Sequence, residues 1–384
     1  MDYELPEDLL RLQKTARDFV DQALIPIELE AMEGPTLRPQ FRTALESKAK
    51  AAGLWMLDVP EVYGGKGLST LGLVVFWEQI SRSSAVSSFA RSIFGPEVGP
   101  VLLGLEGSLK DKYLLPVIRG EKRAAFAQTE ADAGSDPGSI QTTAVLQNGK
   151  WIINGHKRFV THGDDADFYQ LVAATDKAKG SRGGLSMFLV DADTPGVRLG
   201  RMTRTIMGAV TYEITFDNVQ IPEENLVGGL GKGMALAQAW ISRGRLYQAC
   251  HGLGVALRCI ELGATFAKQR VTFGKPLADR QAVQFMLSES FMEHTLAQMV
   301  IYETAVKMDQ GEDVRQLSAM AKIQGCELGF KVADRCMQIH GGMGLTDELP
   351  IARMWHQARA FRITEGPLEV MRMVVARDIL ARTK

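Results

Sequence analysis

The residue with the clearest chemical potential is Glu365, in the run Arg362-Ile363-Thr364-Glu365-Gly366-Pro367 near the end of a 384-residue chain. Gly366 and Pro367 break the preceding segment and start a last helix, so this carboxylate falls just before a helix N-terminus. Held away from water, such a group has its pKa raised and becomes a competent proton acceptor, while the helix's positive end suits a developing oxyanion. The same position also suits a carboxylate that only stabilises the helix start, and position alone favours that plainer role. A second candidate is the loop Ala127-Gln128-Thr129-Glu130-Ala131-Asp132-Ala133-Gly134-Ser135-Asp136-Pro137-Gly138 at the end of a first β-run. Its small and hydroxyl residues could offer backbone N–H groups to an anion or a heterocycle edge. They are equally what a surface turn uses, and the two readings stay level.

Other chemistries find little support. There is no phosphate-binding G-x-x-x-x-G-K-[ST], and His251-Gly252-Leu253-Gly254 lacks both the third glycine and a preceding strand, so close helix packing explains it better than a dinucleotide fold. Cys250, Cys259, Cys326 and Cys336 show no C-x-x-C spacing and are expected to be buried, reduced thiols. The six histidines have no metal-ligand spacing, so no metal site is expected.

These residues need a scaffold. A chain of this length exceeds one ordinary core, which stops growing near roughly 250 to 300 residues. With 46% hydrophobic and 23% charged residues it has the composition of a globular protein, and no stretch is long and apolar enough for a membrane. The N-terminus carries no export or organelle signal, so a cytoplasmic location is expected. Lys and Arg number 44 against 45 Asp and Glu, a net charge of -1 that offers no global attraction to nucleic acid or anionic lipid.

Helical periodicity covers 6–24, 38–52, 70–82, 86–104 and 107–119. The period then shortens to β-like runs at 141–147, 151–154, 157–161, 168–175, 185–191 and 212–219. Asn148-Gly149 and Asn154-Gly155 predict two hairpin turns and hence an antiparallel meander. Long helical segments return at 233–268, 279–310 and 313–339, with a last helix from Pro367. The expected architecture is therefore α+β: N-terminal helices over 1–122, a central antiparallel β-domain over 123–230 and a C-terminal helical bundle over 231–384.

Five segments in order resemble the acyl-CoA dehydrogenase family: Thr129-Glu130 with Gly134-Ser135-Asp136, Lys157-Arg158-Phe159-Val160-Thr161, Arg270-Val271-Thr272-Phe273-Gly274-Lys275-Pro276, Gln338-Ile339-His340-Gly341-Gly342-Met343-Gly344, and Arg362 to Glu369. The resemblance spans about residues 5 to 382 and implies the same α+β layout with a C-terminal four-helix bundle, assembled as a homodimer or homotetramer. It implies FAD as cofactor, lined by Phe126, Gln128, Thr129, Ser135, Phe159 and Thr161 of its own subunit. Arg270, Phe273, Gln281, Gln338, Gly341 and Gly342 are implied to reach the FAD of a neighbouring subunit, Arg270 pairing with the pyrophosphate. It makes Glu365 the catalytic base that removes the α-proton of an acyl-CoA thioester, with Ser135, Arg245, Thr364 and Gly366 at the substrate and an electron-transferring flavoprotein taking the electrons.

Some relatives carry the base on a bundle helix, at the place that falls here on Gly244, which cannot serve. Thr364-Glu365-Gly366-Pro367 departs from the frequent Tyr-Glu-Gly-Thr and matches a subgroup with Glu-Gly-Pro-x-Glu-Val; Phe159 stands where Trp is frequent. An acyl-CoA oxidase, or another flavin oxidase of the superfamily, is the implied alternative reaction. A non-enzymatic DNA-binding relative is a further alternative, but Arg372, Arg377, Arg382 and Lys384 sit at helical spacing and suit a solvated face better.

Overall fold

The computed structural model describes residues 5–33, 36–85 and 91–382. The chain divides into two compact units, Met1–Gly95 with Arg243–Lys384, and Pro96–Ser242.

In the first unit, helices α1 (Glu7–Phe19), α2 (Pro39–Ala51) and α3 (Thr70–Ile80) come first. Helix α4 (Gly233–Gln269) enters this unit at Arg243, followed by α5 (Gln281–Asp309), α6 (Arg315–His340), α7 (Ile351–Phe361) and α8 (Leu368–Arg382). The acyl-CoA-dehydrogenase-like layout of helices, β-unit and helical bundle is thus present. Glycines decide how closely the bundle packs. A Cβ on Gly252 would lie 1.8 Å from the Gly325 carbonyl oxygen of α6, and one on Gly254 would lie 2.4 Å from that of Glu78 in α3. The Gly252/Gly254 pair therefore serves helix contact, as its sequence context suggests. Asp309, at the end of α5, accepts the N–H groups of Thr70 (2.6 Å) and Leu71 (3.0 Å) and so caps α3. Glu78 of α3 is buried and accepts from Gln298 (2.9 Å) and Tyr302 (2.6 Å) of α5. All four cysteines are buried.

The second unit is built on an eight-stranded sheet. Its strands are β1 (Ala124–Ala127), β2 (Thr143–Gln147), β3 (Lys150–Thr161), β4 (Phe168–Ala174), β5 (Leu185–Asp191), β6 (Val197–Arg204), β7 (Val210–Pro222) and β8 (Leu226–Val227). The order is β8-β5-β4-β2-β3-β7-β6, with β1 beside β4. Most pairings are antiparallel, but β1 runs parallel to β4, with Phe126 opposite Gln170, and β2 meets β4 in parallel at Thr143 and Ala174, so the expected antiparallel domain is a mixed sheet. Trp151, Ile153, Phe188, Ile214, Phe216 and Val219 fill one face of the sheet.

Two local expectations change. Asn148-Gly149 does form the turn, with φ of 50° and 73°, between Gln147 and Lys150. Asn154-Gly155 does not. It lies inside the continuous strand β3 at a register shift against β7, where a Cβ on Gly155 would lie 2.3 Å from Thr142 Oγ1. The glycine admits Thr142, and Asn154 Oδ1 takes the Asn218 N–H at 2.8 Å, so a turn signal serves a bulge. The helix expected over 86–104 is also replaced: residues 86–90 lie outside the described residues, Arg91–Phe94 is one tight turn, and only Pro100–Leu103 is α-helical. Gly95, Pro96 and Gly99 interrupt the pattern. Among the described residues no helix is long and apolar enough to cross a membrane.

Candidate active site

Within the first unit, Glu365 sits in a strained turn. Helix α7 closes with the N–H groups of Ile363 and Thr364 on the Ala360 carbonyl, and α8 opens with Met371 N–H on that of Pro367. Between them Glu365 has φ +55° and Gly366 φ +95°. Two successive left-handed residues reverse the chain. Gly366 takes that conformation without cost, whereas a side-chain residue costs roughly 1 to 3 kcal/mol there and persists only where its surroundings fix it.

The surroundings do fix it. Arg245 Nε donates to the Glu365 carbonyl at 2.9 Å, and Gln248 Nε2 donates to Thr364 Oγ1 at 2.8 Å, both from α4. Lys322 of α6, fully buried, donates to the carbonyls of Thr364 and Gly366, the latter at 2.5 Å. Burial pushes the Lys322 ammonium down to about 8, partly offset by Cys326 and Glu365. Burial also lowers Arg245, with Glu365 opposing. The half-buried Glu365 carboxyl lies over Gly244, where an added Cβ would stand 3.0 Å from Glu365 Cδ and 3.4 Å from Oε1. The glycine on α4 thus marks the same point in space as Glu365 and leaves its carboxyl room. The structure therefore brings together Gly244, Arg245, Thr364, Glu365 and Gly366. Lys322 and Gln248 belong to the same cluster and were not singled out from sequence. A lysine at a position where its helix neighbours Ala319, Cys326 and Gly325 are all apolar or small is the signal that could have marked the first. His251 is buried against Gln357, and burial drives its imidazole down to about 4, so it carries no positive charge at pH 7.

At the far end of α4, Val271–Thr272 and Lys275–Pro276 pair as a hairpin whose turn residues Phe273 and Gly274 have φ of 49° and 75°. Phe273 is 99% exposed, and Arg270 and Gln281 are exposed beside it in sequence. Gly341 and Gly342 follow the exposed Gln338, and a Cβ on either would meet nothing within 4 Å. Ala267, Val283 and Ile339 pack into one small core that ties this hairpin end to the Gln338–Gly342 end of α6.

The second unit holds the remaining residues. Lys157 in β3 is fully buried and donates to the Gln128 carbonyl (2.9 Å) and to Glu130 Oε1 (2.7 Å). Glu130 in turn accepts the N–H groups of Gln141 (2.6 Å) and Thr142 (3.0 Å). Burial raises the Glu130 carboxyl, but the Lys157 charge and these donors outweigh it and hold it below the usual range. Burial pushes Lys157 down to about 8. This pair pins the loop that begins at Gln128, and Asp136 then closes it, accepting from Gly138 N–H and Ser139 Oγ, each at 2.9 Å. Ser135 is exposed. Phe159 stands on a bulge of β3 with φ +58° and its ring 49% exposed, while half-buried Thr161 pairs with Thr211. Phe126 stacks on Trp240, centroids 5.8 Å apart, a partner that sequence reasoning missed.

The chain matches the family descriptions "Acyl-CoA dehydrogenase, N-terminal domain" over residues 6–121, "middle domain" over 125–219 and "C-terminal domain" over 231–380. It belongs to the acyl-CoA dehydrogenase family. It is similar to the 3-(aryl)acrylate reductase of Clostridium sporogenes, with 35% identity over 96% of this chain and 97% of that one. It is 34% identical to the caffeyl-CoA reductase–Etf complex subunit CarC of Acetobacterium woodii over 97% and 98% of the two chains. The butyryl-CoA dehydrogenase structure from Megasphaera elsdenii superposes with TM-score 0.85 at 30% identity, covering 99% and 100%. As a family member the chain is an FAD-dependent oxidoreductase acting on CH–CH groups.

Its residues suit that cofactor. Gln128 Oε1 is buried and has no hydrogen-bond partner among the described residues, so it could accept from a donor outside the chain. The half-exposed Phe159 ring offers a stacking face. Gly342 has neither a left-handed φ nor a neighbour that would exclude a side chain, so its want of one suits close approach by a group from outside the chain. Arg372 is paired with Glu327 and Arg382 with Asp378, so this basic helix face is partly neutralised; Lys384 lies outside the described residues.

Proposed function

We propose that this enzyme converts an acyl-CoA thioester to the trans-2-enoyl-CoA, with Glu365 removing the α-proton. The observation that carries the reading is the clamped left-handed turn, which holds one carboxylate over Gly244 at the start of α8. Arg245, Thr364 and Gly366 shape the substrate end, with Ser135 contributing from its loop. Donors at the α8 N-terminus favour the enolate-like oxygen that develops as the proton leaves. FAD, when bound, supplies the acceptor for the hydride of the β-carbon. Phe126, Gln128, Thr129, Ser135, Phe159 and Thr161 are assigned to FAD of the same subunit, Gln128 using its buried amide and Phe159 its ring. Arg270, Phe273, Gln281, Gln338, Gly341 and Gly342 are assigned to the FAD of a neighbouring subunit.

That second set requires a homodimer or homotetramer. The exposed apolar side chains Phe285, Met292, Leu296 and Met299, on one face of α5, support self-association. An electron-transferring flavoprotein is the assigned electron partner, supported by the likeness to a subunit of an Etf complex.

The test is anaerobic bleaching of the flavin by a panel of straight, branched, cyclic and aromatic acyl-CoA thioesters, followed by reoxidation with electron-transferring flavoprotein. The purified protein should be yellow; a colourless protein that takes up no FAD overturns the reading, and faster reoxidation by oxygen selects an oxidase. The names of the two curated relatives favour a second direction, reduction of the double bond, for which Glu365 returns the α-proton. Mixing dithionite-reduced enzyme with cinnamoyl-CoA tests it, and return of the oxidised flavin spectrum is the expected sign.

A further inference from the structure

Lys322 stands out among the buried groups of the first unit. It lies in the buried stripe of α6 with Ser318, Ala319, Gly325, Cys326 and Gly329, and its side chain is wholly removed from solvent. A buried ammonium is costly unless its charge is answered. Here its hydrogen bonds go to the carbonyls of Thr364 and Gly366. Those two carbonyls flank Glu365. For both to converge on one nitrogen the intervening residues must turn back on themselves, which is what φ of +55° at Glu365 and +95° at Gly366 accomplish. Arg245 meets the third carbonyl, that of Glu365 itself. The direction of the Glu365 side chain is thus set by donors on two helices, and Lys322 supplies the contacts on both sides of it.

We propose that Lys322 is a positioning residue for the proton abstraction: its ammonium, bridging the carbonyls of Thr364 and Gly366, holds Glu365 in the left-handed conformation that aims the carboxylate. This rests on Glu365 being the base. The lysine does not touch substrate. It acts on the rate of proton removal through geometry, and a shift of the base by about 1 Å is enough to cost about 10²-fold.

The experiment uses the FAD-bound enzyme with Lys322→Met, an unbranched side chain one atom shorter that lacks the donors, and Lys322→Gln, of the same reach as Met but with donors restored. Butyryl-CoA and 3-phenylpropionyl-CoA serve as reductants, and crotonyl-CoA and cinnamoyl-CoA as the corresponding unreactive ligands. For the Met variant, anaerobic flavin reduction should slow about 10²-fold while the dissociation constant of the enoyl-CoA stays within about threefold, and the Gln variant should recover about tenfold of the rate. Reduction of the Met variant at the wild-type rate overturns the proposal, as does a loss confined to thermal stability or to enoyl-CoA binding. If the Met variant fails to retain FAD, a Gln variant within twofold of the wild-type rate overturns it. If neither retains FAD, Lys322 belongs to folding and the proposal falls. Glu365→Gln separates the two assignments. An inert Glu365→Gln beside a fully active Lys322→Met sinks the lysine alone, whereas turnover by Glu365→Gln sinks the base and the lysine with it.

Discussion

At Glu365 the backbone and the carboxylate work against each other. A left-handed non-glycine residue costs energy, and the turn is kept because Lys322 and Arg245 satisfy its carbonyls. Glu365→Gln is expected to keep FAD and ligand binding and to slow anaerobic bleaching at least about 10³-fold, in keeping with loss of a general base. Gly244→Ala makes a subtler case. Its methyl would press on Glu365 Cδ from 3.0 Å, and the reduction rate should fall about tenfold with flavin content unchanged. A wild-type rate in that variant would mean that the carboxyl has room to spare. The sequence alone leaves Glu365 as a plain helix-start carboxylate; the family resemblance makes it a base; the fold adds that the rival position at Gly244 faces it. Lys322 was not legible as part of this cluster, because 43 positions of chain separate it from Glu365 and only the packing of α6 on the turn brings them together.

At the scale of elements, glycines and buried ion pairs set how helices and loops meet. Gly252→Ala would drive its methyl to 1.8 Å from the Gly325 carbonyl, so α4 and α6 would have to part. A loss of about 3 kcal/mol is expected, seen as a lower thermal midpoint of the holoenzyme. In the β-unit the Glu130–Lys157 pair pins the loop at Gln128. Because Glu130 is held below its unfolded value, its contribution is complete above about pH 4.3 and is lost as pH falls through the folded value. Acid release of FAD should therefore be less steep below about pH 4.3 in Glu130→Gln, measured by flavin fluorescence, than in the wild type. The long helices were legible from their period, and the first hairpin from Asn148-Gly149. The bulge at Asn154-Gly155 was not. A dipeptide that permits a turn equally permits a bulge, and Thr142, just ahead of β2, decides between them.

At the scale of the whole molecule, a face of α5 and the hairpin tip at Phe273 expose apolar side chains. Light scattering is expected to give a dimer or tetramer of the 42.1 kDa chain, and Leu296→Glu, in the middle of the exposed stripe of α5, should shift it toward monomer with reduced FAD content. An unchanged assembly would move the interface elsewhere. The sequence by itself determined the order of helices, strands and bundle, and through its ordered motifs the family and cofactor, because periodicity and short motifs are local properties of the chain. Which residues meet was decided by the tertiary structure alone. Lys322 and Gln248 at the Glu365 turn, Trp240 on Phe126, and Gly244 under the carboxyl are contacts across long stretches of sequence, and a chain fixes such contacts only when its elements pack.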